Sequence, residues 1–110
     1  MSTVRPSELK FRSFGATFGA AGAHTIVAAV SGYRLKIVNA LMTSSARISL
    51  TVQDTNGSDL IGAMPIDEYG GFVAPPAEGG WNISAVGTGI QLKVDAACVV
   101  GGVMVYQEVP

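Results

Sequence analysis

The chain has one cysteine, one histidine and one tryptophan in 110 residues, and few charges of either sign. Each scarcity excludes something. A lone cysteine, Cys98, can close no disulfide within the chain and build no cysteine metal site. Flanked by Val99 and Val100, it reads as a buried thiol packing like a small hydrophobe. The lone histidine, His24, sits in an apolar stretch and reads as a packed or interface residue rather than a general base. Seven Lys and Arg against eight Asp and Glu give a net charge of −1 and a pI near 5.6, so no concentrated basic patch is expected and nucleic acid is excluded as a partner. No stretch reaches the roughly eighteen uninterrupted apolar residues of a membrane-spanning helix, so no membrane partner is expected.

Chemistry is equally sparse. No Ser, His and Asp are spaced as a triad, no glycine loop carries a phosphate-binding lysine, and no metal ligands cluster. Asp67-Glu68 is an adjacent acid pair, but on a glycine-rich loop it reads as a solvated corner. Asp54, Asn56 and Asp59 loosely follow a calcium loop that lacks its closing glutamate, and Asn56-Gly57 marks the segment as a hairpin turn instead. A non-enzymatic protein without cofactor or metal is expected.

What the chain has is apolar surface. Hydrophobic residues make up 48% and charged ones 14%, against roughly 25% charged in an average soluble domain. A monomer of this size exposes on the order of 5,700 Å². So few charges over that area imply that another chain covers part of it, and a homo-oligomer is expected.

One domain fits this length. Residues 1–12 are polar for this chain and contain Pro6, and Gly, Ala, Thr and Phe dominate 15–22. Residues 1–22 therefore read as an N-terminal arm and connector, and 23–110 as the folded domain. Phe11 and Phe14 suggest an arm that docks, with Arg5, Lys10 and Arg12 offering charge pairing. Ala21-Gly22-Ala23 mimics a signal cleavage site, but the preceding run lacks Leu, Ile and Val and Glu8 sits in its basic region, so no signal peptide is read.

Strands follow at short intervals. His24 to Val30 carries Ile26 on one face and Val27 on the other. In Tyr33 to Met42 the core face is expected to hold Tyr33, Leu35, Ile37 and Leu41. Ile48, Leu50 and Val52 alternate with polar residues, as do Ile90, Leu92 and Val94. Cys98 to Val109 is apolar on both sides, with Val100, Met104 and Tyr106 opposing Val99, Val103 and Val105. Strands apolar on both faces are covered on both faces. Val27, Val99, Val103 and Val105 are thus candidate subunit-interface residues. Between Asp59 and Trp81 lie three of the five prolines and five of the fourteen glycines. Gly70, Gly71, Phe72 and Trp81 are the expected framework of that segment, with Trp81 buried beneath a chain crossing. The pattern predicts an all-β fold, a jelly-roll-like antiparallel β-sandwich with an N-terminal arm.

Residues 48–109 also resemble a family of small β-sandwich structural proteins of tailed bacteriophages. The residues carrying the likeness are Gly62-Ala63-Met64-Pro65-Ile66, Gly70-Gly71-Phe72-Val73-Ala74-Pro75, Gly80-Trp81, Ala85-Val86-Gly87, Ile90-Gln91-Leu92 and the closing Tyr106-Gln107-Glu108-Val109. Pro75-Pro76-Ala77-Glu78 departs from the family's loop pattern. The resemblance implies a capsid cement or head-decoration protein, made in the host cytoplasm and carried on the capsid surface of the virion. Its partners would be sister subunits, with a trimer favoured over a dimer, and the major capsid protein, gripped by Arg5, Lys10, Phe11 and Arg12. The alternative is a tail-fibre or spike module that binds a host surface receptor.

Overall fold

A computed structural model describes residues 9–74 and 82–110, with the side chains of Phe72, Ala74 and Asn82 left aside. Nine strands account for most of them: β1 (Leu9–Phe18), β2 (Gly22–Val27), β3 (Arg34–Ser44), β4 (Ile48–Asp54), β5 (Asp59–Ile66), β6 (Gly71–Ala74), β7 (Asn82–Ile83), β8 (Ile90–Val94) and β9 (Cys98–Val109). The described residues include no helix. The first sheet has the order β1-β9-β3-β6, with β7 also paired to β3, and the second has the order β2-β8-β4-β5. Every pairing is antiparallel. The two sheets pack face to face, so the chain is the all-β sandwich that the strand pattern predicts.

The core is the space between them. Leu35, Ile37, Met42, Val100 and Met104 project from the first sheet, and Leu50, Val52, Ile90, Leu92 and Val94 from the second. All ten are at most 2% exposed. From Ile48 to Val52 in β4, and throughout β8, the buried residues alternate with wetter ones as the period-two reading requires.

Two expectations fail, and a bulge explains each. In β3 the register shifts between Ile37 and Asn39, so one extra residue, Val38, enters the strand. Parity flips at that point. Ala40 and Met42 turn inward, and Leu41, expected in the core, is 46% exposed on the outer face. In β2 a shift between Thr25 and Val27 buries both Ile26 and Val27. Val27 is therefore a core residue of this chain and cannot serve as a subunit interface.

The N-terminal arm and connector are also corrected from residue 9 onward. Leu9 to Phe18 pairs residue for residue with Gln107 to Cys98, a ten-residue ladder. The sequence signal was Phe14, Ala16 and Phe18 in alternation with Ser13, Gly15 and Thr17. Ala16 and Phe18 are core residues and Phe14 packs against them.

Gly70 and Gly71 lie in close contact with the end of β3. The Gly70 amide donates to the Asp67 carbonyl at 2.8 Å, and the Gly70 carbonyl accepts from the Ser44 amide at 2.9 Å, tying the turn to the end of β3. A Cβ on Gly71 would collide with the Met42 carbonyl, and one on Gly102 with that of Leu41. Phe72 pairs in register with Met42 through the backbone. Trp81 lies outside the described residues. Gly102→Ala is expected to cost about 1–3 kcal/mol or more through overpacking. Gly62→Ala, where a Cβ meets nothing within 4 Å, should leave stability within about 0.5 kcal/mol or raise it. Urea unfolding of both variants checks the contrast.

Candidate functional site

The polar groups of the fold are mostly occupied in holding it. Asp54 is 2% exposed at the end of β4, where the chain turns through Asn56-Gly57. Its Oδ1 accepts from the amides of Asn56 at 3.0 Å and Ser58 at 3.1 Å, and its Oδ2 from the Ala85 amide at 3.4 Å. Gly57 supplies the positive φ of 92° that the turn needs. A carboxylate saturated by backbone amides is a turn clamp, in keeping with the hairpin reading of this loop. The clamp also reaches across the sandwich. Ser84, next to Ala85, exchanges hydrogen bonds with Leu35: its amide donates to the Leu35 carbonyl, and its Oγ accepts from the Leu35 amide, both at 2.9 Å.

No group of three or more His, Cys, Asp or Glu that could hold a metal ion occurs among the described residues. His24 is exposed, with its ring edge-on to Phe18 at 5.8 Å. Asp67 and Arg47 stand 3.8 Å apart on the surface, both strongly exposed. Cys98 is buried, and that burial pushes its thiol up from the ordinary value, with Asp95 adding to the rise and a hydrogen bond to Ser44 opposing it. No helix is long and apolar enough to cross a membrane, among the described residues.

The informative feature is a difference between the two outer faces. On the second sheet, Thr25, Gln91, Gln53 and Asp59 form a polar row. Gln91 Nε2 donates to Gln53 Oε1, and Gln53 Nε2 to Asp59 Oδ1, both at 2.9 Å. On the first sheet the outer face is mainly apolar, apart from Arg34 and Lys36 at one end. Directly paired residues of antiparallel strands share a face. Pairing therefore places Phe11 beside Val105, and Leu41 between Val103 and Val73. Leu9, Phe11, Leu41, Val73, Ile83 and Val99 are between 36% and 74% exposed, and six of the eight exposed large hydrophobics among the described residues lie here.

This face gathers residues that the sequence reading kept apart. Phe11, expected to grip a capsid, shares a row with Val105, expected at a subunit interface, and Val99 and Val103 continue the same surface. Lys10 and Arg12 sit on alternate positions of β1, pointing to its other side, and Lys10 is ion-paired to Glu108 at 3.2 Å. Arg5 lies outside the described residues. Leu41 and Val73 were missed, since only the bulge at Val38 turns Leu41 outward.

One further side chain stands out. Tyr69, in the loop between β5 and β6, is 80% exposed and holds a φ of 58°. Left-handed backbone is costly for an aromatic residue, and such strain is concentrated at functional positions.

No family model, curated protein or solved structure matches this chain.

Two variants test the polar framework. Asp54→Ala removes the acceptor shared by the Asn56, Ser58 and Ala85 amides and should cost about 1–2 kcal/mol in urea unfolding. The raised Cys98 thiol favours the neutral form in the folded chain. Its contribution to stability is complete below the ordinary thiol pKa and is lost as pH rises through that value toward the folded one. As pH rises past the ordinary thiol value of about 8.5, the wild type should therefore lose more stability than Cys98→Ala, as read from urea midpoints.

Proposed function

We propose that this chain is a structural subunit of a tailed-bacteriophage particle, a capsid cement or decoration protein that binds the assembled head as a homo-oligomer and adds to its cohesion. The observation that carries the reading is the apolar outer face of the first sheet, set against a polar outer face on the second. A protein built this way works by contact area. The phage setting rests on the motifs between residues 48 and 109, from Gly62-Ala63-Met64-Pro65 to Tyr106-Gln107-Glu108-Val109.

A decoration protein stabilises a shell because it binds the lattice in preference to free capsid subunits, so its binding energy adds to the shell's own. Repetition of equal sites turns modest contacts into avidity when the ligand is an oligomer. In this reading Tyr69 is the contact to the lattice. It is an exposed aromatic at one end of the sandwich, on the rim of the apolar face beside Thr43, Val99 and Gly101, and aromatic anchors carry much of the energy of small interfaces.

The test mixes the purified chain with undecorated heads of the same phage. Saturable binding to heads and not to free capsid protein is expected, with decorated heads retaining DNA to higher temperature. Tyr69→Gly should melt higher than wild type, because the backbone strain is relieved, yet bind heads at least roughly tenfold more weakly. Absence of binding to heads overturns the proposal, and binding to host envelopes instead would establish the fibre or spike reading.

A further inference from the structure

The apolar face has its own pattern, row by row. Across the strands, Phe11 leads to Val105 and Asn39. The next row is Ser13, Val103, Leu41 and Val73. The row after that is nearly bare: Gly15, Gly101, Thr43 and Gly71. A large projecting ring thus stands on one side of the Val103 row and a glycine depression on the other. Charge is confined to one end of the face, where Arg34 and Lys36 pair with Val109 and Gln107.

We propose that this face is covered by the same face of a second copy of the chain, with Phe11 of each copy seated over Gly15 and Gly101 of the other. The inference deepens the self-association contained in the proposed function and rests on it. Two like faces can meet flush only across a two-fold axis, since such a contact is isologous, whereas a closed trimer uses two different patches. The geometry therefore favours a pair over the trimer that the sequence resemblance implies.

Charge then selects the axis. An axis parallel to the strands would lay Arg34 and Lys36 over their own copies. An axis across the strands, through the row of Val103 and Leu41, reverses the strand direction and carries that cationic end over the uncharged end of Thr17 and Val99. The same operation exchanges the two flanking rows. Phe11 comes to lie over Gly15, and Val105 over Gly101, large against small. Val103 and Leu41 meet their own copies on the axis, at the roughly 10 Å spacing of packed sheets.

The size is at the lower end of what a stable pair needs. Three strands of ten to twelve residues at ~3.3 Å each and ~4.8 Å apart, with the four residues of β6 beside them, give roughly 500–600 Å² in projection, before side-chain relief is counted. A standard stable interface buries about 800 Å² on each partner.

The experiment uses the full chain alone. Light scattering after size exclusion at micromolar concentration should return twice 11.3 kDa. Gly15→Phe fills the depression, and its Cβ meets nothing within 4 Å in the fold. It should weaken pairing roughly 100-fold or more while the circular dichroism spectrum stays that of the wild type. Phe11→Gly should weaken it too. The double exchange, Phe11→Gly with Gly15→Phe, should restore the pair, because the two-fold axis sets each position over the other. A trimer, or a monomer whose face its own chain covers, overturns the proposal. So does a dimer indifferent to Gly15→Phe, which would point to pairing along the free edge of β1. So does failure of the double exchange to recover the pair. None of these measurements involves heads, so losing the pair leaves head binding to be judged by its own assay.

Discussion

The pairing of β9 with β1 on one side and β3 on the other is the constraint on which the rest of the molecule depends. Each flank matches ten residues of β9, and from Val100 to Gln107 it is paired on both sides at once, so its backbone there is satisfied from both sides. Its inward residues Val100 and Met104 then have fixed positions, and the second sheet packs against them. The ladder tolerates no side chain at Gly102, where the β3 backbone approaches too closely for a Cβ. The central strand is thus continuous because of a residue with poor strand propensity, a case where close approach outranks propensity.

The same ladder explains why so apolar a strand leaves one face in the open. Alternation sends Val100 and Met104 inward, and Val99, Val103 and Val105 outward, with nothing of the described chain stacked on them. β1 and β3 contribute Phe11 and Leu41 to that surface. The second sheet solves the ordinary problem differently, with glutamines and an aspartate linked along its outer face. One sandwich carries a wet side and a dry side, and that asymmetry is the strongest statement the structure makes about function.

Much of the fold was legible wherever one face of a strand was polar. Ile48, Leu50 and Val52, and Ile90, Leu92 and Val94, could be placed from alternation alone because their neighbours are Ser49, Thr51, Gln91 and Lys93. Strands apolar on both sides carry no such parity signal, and there the reading failed at bulges: Val38 reversed Leu41, and the shift beside Ile26 buried Val27. β1 was obscured because Lys10, Arg12 and Gly15 mask the alternation of Phe14, Ala16 and Phe18. The apolar face was half legible. Val99, Val103 and Val105 were identified from β9, but their alignment with Phe11 and Leu41 arises from pairing between distant segments, which periodicity does not encode. The reach of Asp54 to Ala85, 31 residues away, was hidden for the same reason.

The partnership of the first described strand with the last has a consequence for biogenesis. β1 leaves the ribosome before every other described strand, and its mate β9 after all of them. Of the connections between described strands, only β4 to β5 is a local hairpin, and most of the others pass from one sheet to the other. Non-local closure of this kind is slow, because loop entropy is lost before the contacts that reward it are made. Until β9 emerges, Phe11, Phe14 and Phe18 travel on an unpaired strand able to join a neighbouring nascent chain. On a crowded polysome making many copies at once, the yield of correctly closed sandwiches therefore depends on how soon each β9 reaches its own β1 rather than another's.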